Sequence, residues 1–144
     1  MKKLGYCIWF CPEKTHPWYR YTNKFPPHLT IKNNLSYQEA LLLLIALKKQ
    51  KLTIEFDYLM CGEIDGMHSL HYTIKEPDNK PEWWPKNPHI SFLYKYDKKI
   101  TPQEVNYLYT YMPVKTGTLD GFHLVNCNGH YKDWKVMHSK MFNN

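Results

Sequence analysis

No stretch of this sequence approaches the roughly 20 consecutive apolar residues that a membrane-spanning helix needs. The longest apolar run, Ala40 to Leu47, reads instead as a helix buried against a sheet. A secretory leader is not expected either. Met1-Lys2-Lys3 precedes an apolar stretch that has no small-residue cleavage site and soon reaches Pro12, which suits a strand. Low hydrophobicity, the mark of disorder, is absent: 43% of residues are hydrophobic and 16% aromatic. Cysteine is sparse, with Cys7, Cys11, Cys61 and Cys127. Without a leader they are expected to be reduced thiols in the cytoplasm. The gaps linking Cys7, Cys11 and His16 match no strong zinc pattern, and on a strand the two thiols would sit about 13 Å apart, so no metal site is expected. Acidic residues are in deficit, 13 against 19 basic ones, for a net charge of +6. That balance suits an anionic ligand without requiring one.

The 144 residues are enough for one domain with a real core, spanning 1–144. Leu4 to Phe10 is aromatic and β-branched enough for a strand, and a polar-aromatic loop from His16 to Phe25 follows. His28 to Ile31 alternates as a short strand. Ser36-Tyr37-Gln38-Glu39 is a capping box opening a helix to about Lys51. Leu52 to Met60 and His68 to Lys75 read as strands around a turn at Glu63-Ile64-Asp65-Gly66, whose Asp-Gly favours a hairpin. Glu76 to Pro88, rich in proline, is a loop, and His89 to Tyr96 is the next strand. Thr101-Pro102-Gln103-Glu104 is a second capping box; the helix behind it places Val105, Leu108, Tyr109 and Met112 on one face. Phe122 to Cys127 and Trp134 to Phe142 close the chain as a strand pair around Asn128-Gly129.

These segments contain a repeat. PPHLTI followed by SYQEA mirrors NPHISF followed by TPQEV, and the second linker is longer than the first. Each unit is Pro-His-apolar-hydroxyl-apolar, a linker, a capping box and a helix, which implies two facing lobes, about 1–61 and 67–144. Residues i and i+2 of a strand share a face, so His28 points with Thr30 and His89 with Ser91, while Leu29, Ile31, Ile90 and Phe92 enter the core. Chance supplies about 0.3 matches to His-x-Ser/Thr-apolar in this composition. A third match, His71-Tyr72-Thr73-Ile74, lacks the preceding proline and the following helix. It reads as a strand residue at the cleft edge.

Two imidazoles and two hydroxyls facing one cleft suit phosphoryl transfer without a metal. One neutral imidazole takes a proton from the attacking oxygen, and one protonated imidazole gives a proton to the leaving oxygen. The hydroxyls hold the non-bridging oxygens. The paired motifs HLTI and HISF, each on a strand followed by a helix, resemble the 2H phosphoesterase superfamily. That group includes RNA-ligase-like 2′,3′-cyclic phosphodiesterases and 2′,5′-oligonucleotide phosphodiesterases, some of them viral. The resemblance implies an α+β, bilobal, pseudo-symmetric fold with antiparallel sheets around a central cleft and helices outside. It also implies His28, Thr30, His89 and Ser91 as catalytic residues. The chain departs from the family in being short and in carrying Ser rather than Thr at position 91.

The implied substrate is a nucleotide or short oligonucleotide phosphodiester, with no cofactor, no membrane partner and a monomeric chain; a viral member would act in the host cytoplasm. Trp18, Tyr19, Arg20, Tyr21, Trp83 and Trp84 precede the two motif strands and are candidates for stacking on bases, with His71 as a further substrate contact. Two other readings stay open: a hydrolase of cyclic or oligonucleotide second messengers that counters host immune signalling, and a non-catalytic RNA-binding module.

Overall fold

The computed structural model describes residues 5–22, 25–112 and 114–141. It has the expected α+β class: seven antiparallel strands and two helices. The strands are β1 (Tyr6–Pro12), β2 (Leu29–Leu35), β3 (Leu52–Ile64), β4 (Met67–Ile74), β5 (His89–Tyr96), β6 (Thr116–Asn126) and β7 (Lys135–Met141). Helix α1 (Tyr37–Ala46) follows β2, and α2 (Pro102–Tyr111) follows β5. Both helices open on the expected capping boxes. Ser36 and Thr101 accept from the Glu39 and Glu104 amides, and both glutamates reach back to the cap amides.

Pairing around the sheet closes on itself. β6 pairs with β1, β1 with β2, β2 with β5, β5 with β4, β4 with β3, and β3 with the first residues of β6. β7 extends the sheet from the other half of β6. The seam between β2 and β5 is one register pair, Leu29 with Ile90. These are equivalent positions of the repeat, so a local two-fold passes between them. The strands group as β1, β2, β6 and β7 on one side of the seam and β3, β4 and β5 on the other, with β3 and the start of β6 forming a second junction. β6 comes back from the far end of the chain to lie beside β1.

One face of this sheet is covered by the helices. Leu29, Ile31, Ile90, Phe92, Leu44, Leu108, Phe10 and Phe122 are buried in a single apolar cluster there. Burial of apolar area at roughly 25 cal/mol per Å² makes this the main stabilising contact. The opposite face carries His28, Thr30, His89 and Ser91. The β3–β4 hairpin turns on Asp65 and Gly66, both at positive φ (49° and 85°), which is the type I′ geometry that matches strand twist.

Several boundaries differ from expectation. β1 runs through Pro12, β2 continues to Leu35, β3 reaches Ile64, and β6 begins at Thr116. Leu4 and Phe142, expected to begin and end strands, lie outside the described residues. Helix α1 stops at Ala46 rather than near Lys51, where Lys140 Nζ donates to the Ile45 and Leu47 carbonyls at 2.9 and 2.7 Å. Only Ala40, Leu44 and Leu47 of the run from Ala40 to Leu47 are buried, whereas Leu42 and Ile45 are exposed. Tyr109 of α2 is exposed too, so its apolar face is narrower than the sequence spacing suggested. No helix among the described residues is long and apolar enough to cross a membrane. Cys7, Cys11, Cys61 and Cys127 form no disulfide among the described residues.

The loop expected from His16 to Phe25 contains a 3-10 turn, Pro17–Arg20, capped by His16. Its Trp18 is fully buried, stacked 4.5 Å from Phe56, with its indole N–H donating to the Val114 carbonyl. Trp18→Ala is therefore expected to lower the unfolding free energy by about 3–5 kcal/mol in denaturant titration. A loss below roughly 1 kcal/mol would mean that the indole is not part of the core.

Candidate active site

A cleft of about 590 Å³ opens on the face opposite the helices, lined by His28, Thr30, His89 and Ser91 among others. Continuing the Leu29–Ile90 register by one residue each way sets His28 across from Ser91 and Thr30 across from His89. The four motif side chains thus form one compact group around the two-fold.

The prolines of the repeat have a clear physical task. In Pro26-Pro27-His28 and Asn87-Pro88-His89, the proline locks φ and keeps the residue before it extended. The carbonyl two residues back then meets the imidazole. His28 Nδ1 lies 2.7 Å from the Pro26 oxygen, and His89 Nδ1 lies 2.8 Å from the Asn87 oxygen. A carbonyl only accepts, so each Nδ1 carries the proton. Each neutral ring then has its lone pair on Nε2.

The two rings differ in cover. His28 is 4% exposed and stacks face to face on Trp9 at 3.6 Å, with Phe25 edge-on at 6.0 Å. Burial pushes its pKa down to about 3; the Pro26 bond works the other way, and charge on His89 or His123 would lower it further. His89 is only partly buried, and its ring lies 4.7 Å from that of His71 at an angle of 51°. Ser91 is buried and shares a hydrogen bond with Tyr94, while Thr30 is half-buried. His71, also in the cleft, is pushed down to about 4 by burial and then by His89.

The candidates for stacking on bases lie elsewhere. Trp18 belongs to the core, the Tyr19 hydroxyl donates to the Pro12 carbonyl, Arg20 is exposed, and the Tyr21 hydroxyl donates to the Tyr111 carbonyl. Trp83 packs edge-on against Phe10 and Phe122, and Trp84 packs against the same core. None of these six lines the cleft. Its aromatic walls are Trp9, Tyr94 and Trp134, which sequence reasoning did not single out. Alternation along β1 was the available signal for Trp9, because Ile8 and Phe10 take the core side; Trp134 had none. His123, given no role from sequence, is pushed down to about 4 by burial and then by Lys14, and its Nδ1 lies 2.7 Å from Ser139 Oγ.

His16 accepts from the Trp18 amide. Among the described residues no group of three or more His, Cys, Asp or Glu is placed to hold a metal ion.

No family model matches the chain, and no curated protein matches it. Solved structures similar to it include E. coli LigT complexed with 3′-AMP, at 11% identity over 99% of this chain and 100% of that one, with a TM-score of 0.49. E. coli LigT complexed with NADP+ is similar at 13% identity over 97% and 98%, TM-score 0.47. The same protein complexed with phosphate gives 11% identity over 98% of each chain, TM-score 0.46.

The depressed imidazoles make stability depend on pH. As pH falls through 6.5 the unfolded chain takes up protons that His28, His71 and His123 in the folded chain do not. Stability present above 6.5 is thus lost downward, until His71 and His123 charge near 4 and His28 near 3. His28 alone corresponds to a loss on the order of 5 kcal/mol. Thermal midpoints should drop steeply over this range, and His28→Phe should flatten the slope. An unchanged slope would place the His28 ring in water.

Proposed function

We propose that this cleft cleaves nucleotide phosphodiesters that involve a 2′ oxygen, either 2′,5′-linked or 2′,3′-cyclic, by general acid–base catalysis from two histidines. The observation that carries the reading is the pair of carbonyl-held imidazoles, each with its lone pair on Nε2 when neutral, set around a two-fold together with two hydroxyls. His28, neutral in its apolar cover, is the base: its Nε2 takes the proton from the attacking oxygen. His89, nearer to solvent, is the acid, and as imidazolium it gives its Nε2 proton to the leaving oxygen. Thr30 and Ser91 hold the non-bridging oxygens as charge builds on them.

The 2′ oxygen matters for a physical reason. On a 2′,5′ linkage the neighbouring 3′-hydroxyl is already positioned to attack phosphorus and expel the 5′-oxygen, and such preorganisation is worth several kcal/mol of barrier. On a 2′,3′-cyclic phosphate, water attacks and one ring oxygen leaves, so the product is a phosphate monoester. Neither route needs a metal to activate the nucleophile.

Alanine at His28 or at His89 should each lower kcat/KM by about 10²–10⁴-fold. The double variant should lose less than the product of the two, because the pair acts as a unit. Substrates to be compared are 2′,5′-oligoadenylate, 3′,5′-linked RNA, a 2′,3′-cyclic nucleotide and a cyclic dinucleotide, with products identified by mass. Turnover that survives in both alanine variants, or binding of RNA with no cleavage of any substrate, would overturn the assignment. In the active protein kcat/KM should rise with pH on a limb well below 6.5, as His28 loses its proton.

A further inference from the structure

The two-fold that relates His28 to His89 also relates the residues beside them. On β1, Trp9 pairs with Thr30; on β4, His71 pairs with Ser91. Trp9 and His71 are therefore equivalent positions, and each lies against the ring of its own motif histidine. One lobe places an inert indole there, the other a titratable imidazole.

The surroundings of His71 are built to take it. Its Nδ1 lies 3.1 Å from Ser69 Oγ. Across the strand pair stands Gly62, where a Cβ would come within 3.2 Å of the His71 Cε1 atom, so a side chain at 62 would crowd the ring. His89 and Ser91 face it from β5, and Lys32 lines the cleft from β2. Glu63 on β3 is the sole carboxylate among the described cleft-lining residues, but its Oε2 accepts from the Gly66 amide at 2.6 Å in the hairpin turn. Among the described residues nothing negative pairs with His71.

Lys32 is also the sole Lys or Arg among the described lining residues. A diester carries one negative charge, which the His89 imidazolium balances. A phosphate monoester carries nearly two at neutral pH, and the extra charge favours a further cation besides the exposed Lys32.

We propose that His71 is a third phosphate-contacting imidazole, which takes up a proton when a doubly charged phosphate monoester occupies the cleft. It rests on the reading of this cleft as a phosphate site. Oriented by Ser69, His71 discriminates monoesters from diesters, and monoester binding weakens as pH rises and the proton is lost. Its ring is neutral in the empty cleft, where burial and His89 both disfavour charge.

The test follows the His71 ring proton by NMR in the full chain, titrated with inorganic phosphate, adenosine 2′-monophosphate and dimethyl phosphate. With either of the first two, the His71 midpoint should move from about 4 to above about 6, whereas dimethyl phosphate should move it little. In His71→Gln the ratio of monoester to diester affinity should fall at least tenfold near pH 6, and Ser69→Ala should shift it in the same direction. An adenylate dinucleotide with and without a terminal phosphate separates a monoester carried by the substrate from one formed as product. The proposal is overturned if His71 stays neutral in the phosphate complex, or if a folded His71→Gln keeps the wild-type ratio. Absence of phosphate binding would sink it as well. His28→Ala keeps the two readings apart: it should lose turnover but retain the His71 response. A protein that cleaves no diester while its His71 still titrates with phosphate defeats the function proposed above and not this one.

Discussion

Everything in the cleft depends on the pairing of Leu29 with Ile90. A single register pair joins β2 to β5, and it joins equivalent positions of a repeated sequence. Had the strands met one residue out of register, one motif would have turned its polar face into the helices, because strand side chains alternate with a period of two. The apolar residues at these positions, together with Ile31 and Phe92, hold the register by burial. The face on which the His and hydroxyl side chains lie follows from it.

Local chemistry then sets the rings. The carbonyl two residues before each histidine fixes the tautomer, and the intervening proline fixes the carbonyl. This explains why the repeat extends upstream of the histidines, to residues that touch no substrate in the proposed mechanism. The helices behind the strands are fixed in the same local way, by Ser36 with Glu39 and Thr101 with Glu104.

Such local rules were legible in the sequence, and so the strand His89–Tyr96, both capping boxes and the common face of His28 with Thr30 were as well. What was not legible came from pairings between distant segments. Nothing in Phe122 to Cys127 says that it lies beside β1, yet that pairing joins the ends of the chain into one sheet. Trp18 sits in an aromatic-rich loop, which on composition alone resembles a stacking surface. The site over Phe56 and beside Phe92 that receives it exists only once β3 and β5 are in place. Helix α1 is apolar on most sides, and periodicity has no means of choosing which side is buried when every side qualifies.

A symmetric scaffold poses a difficulty for acid–base chemistry, because two identical histidines have the same proton affinity while the reaction needs one ring with a proton and one without. Mutual repulsion alone would let the pair hold one proton without saying which ring carries it. The difference has to come from residues that break the repeat. Trp9 and Phe25 surround His28 with apolar rings, and charge there lacks solvation. At the equivalent place His89 meets His71 and retains access to water. The duplicated strands supply the positions, and the exchange of indole for imidazole between them supplies the direction in which, on the proposed reading, the proton moves.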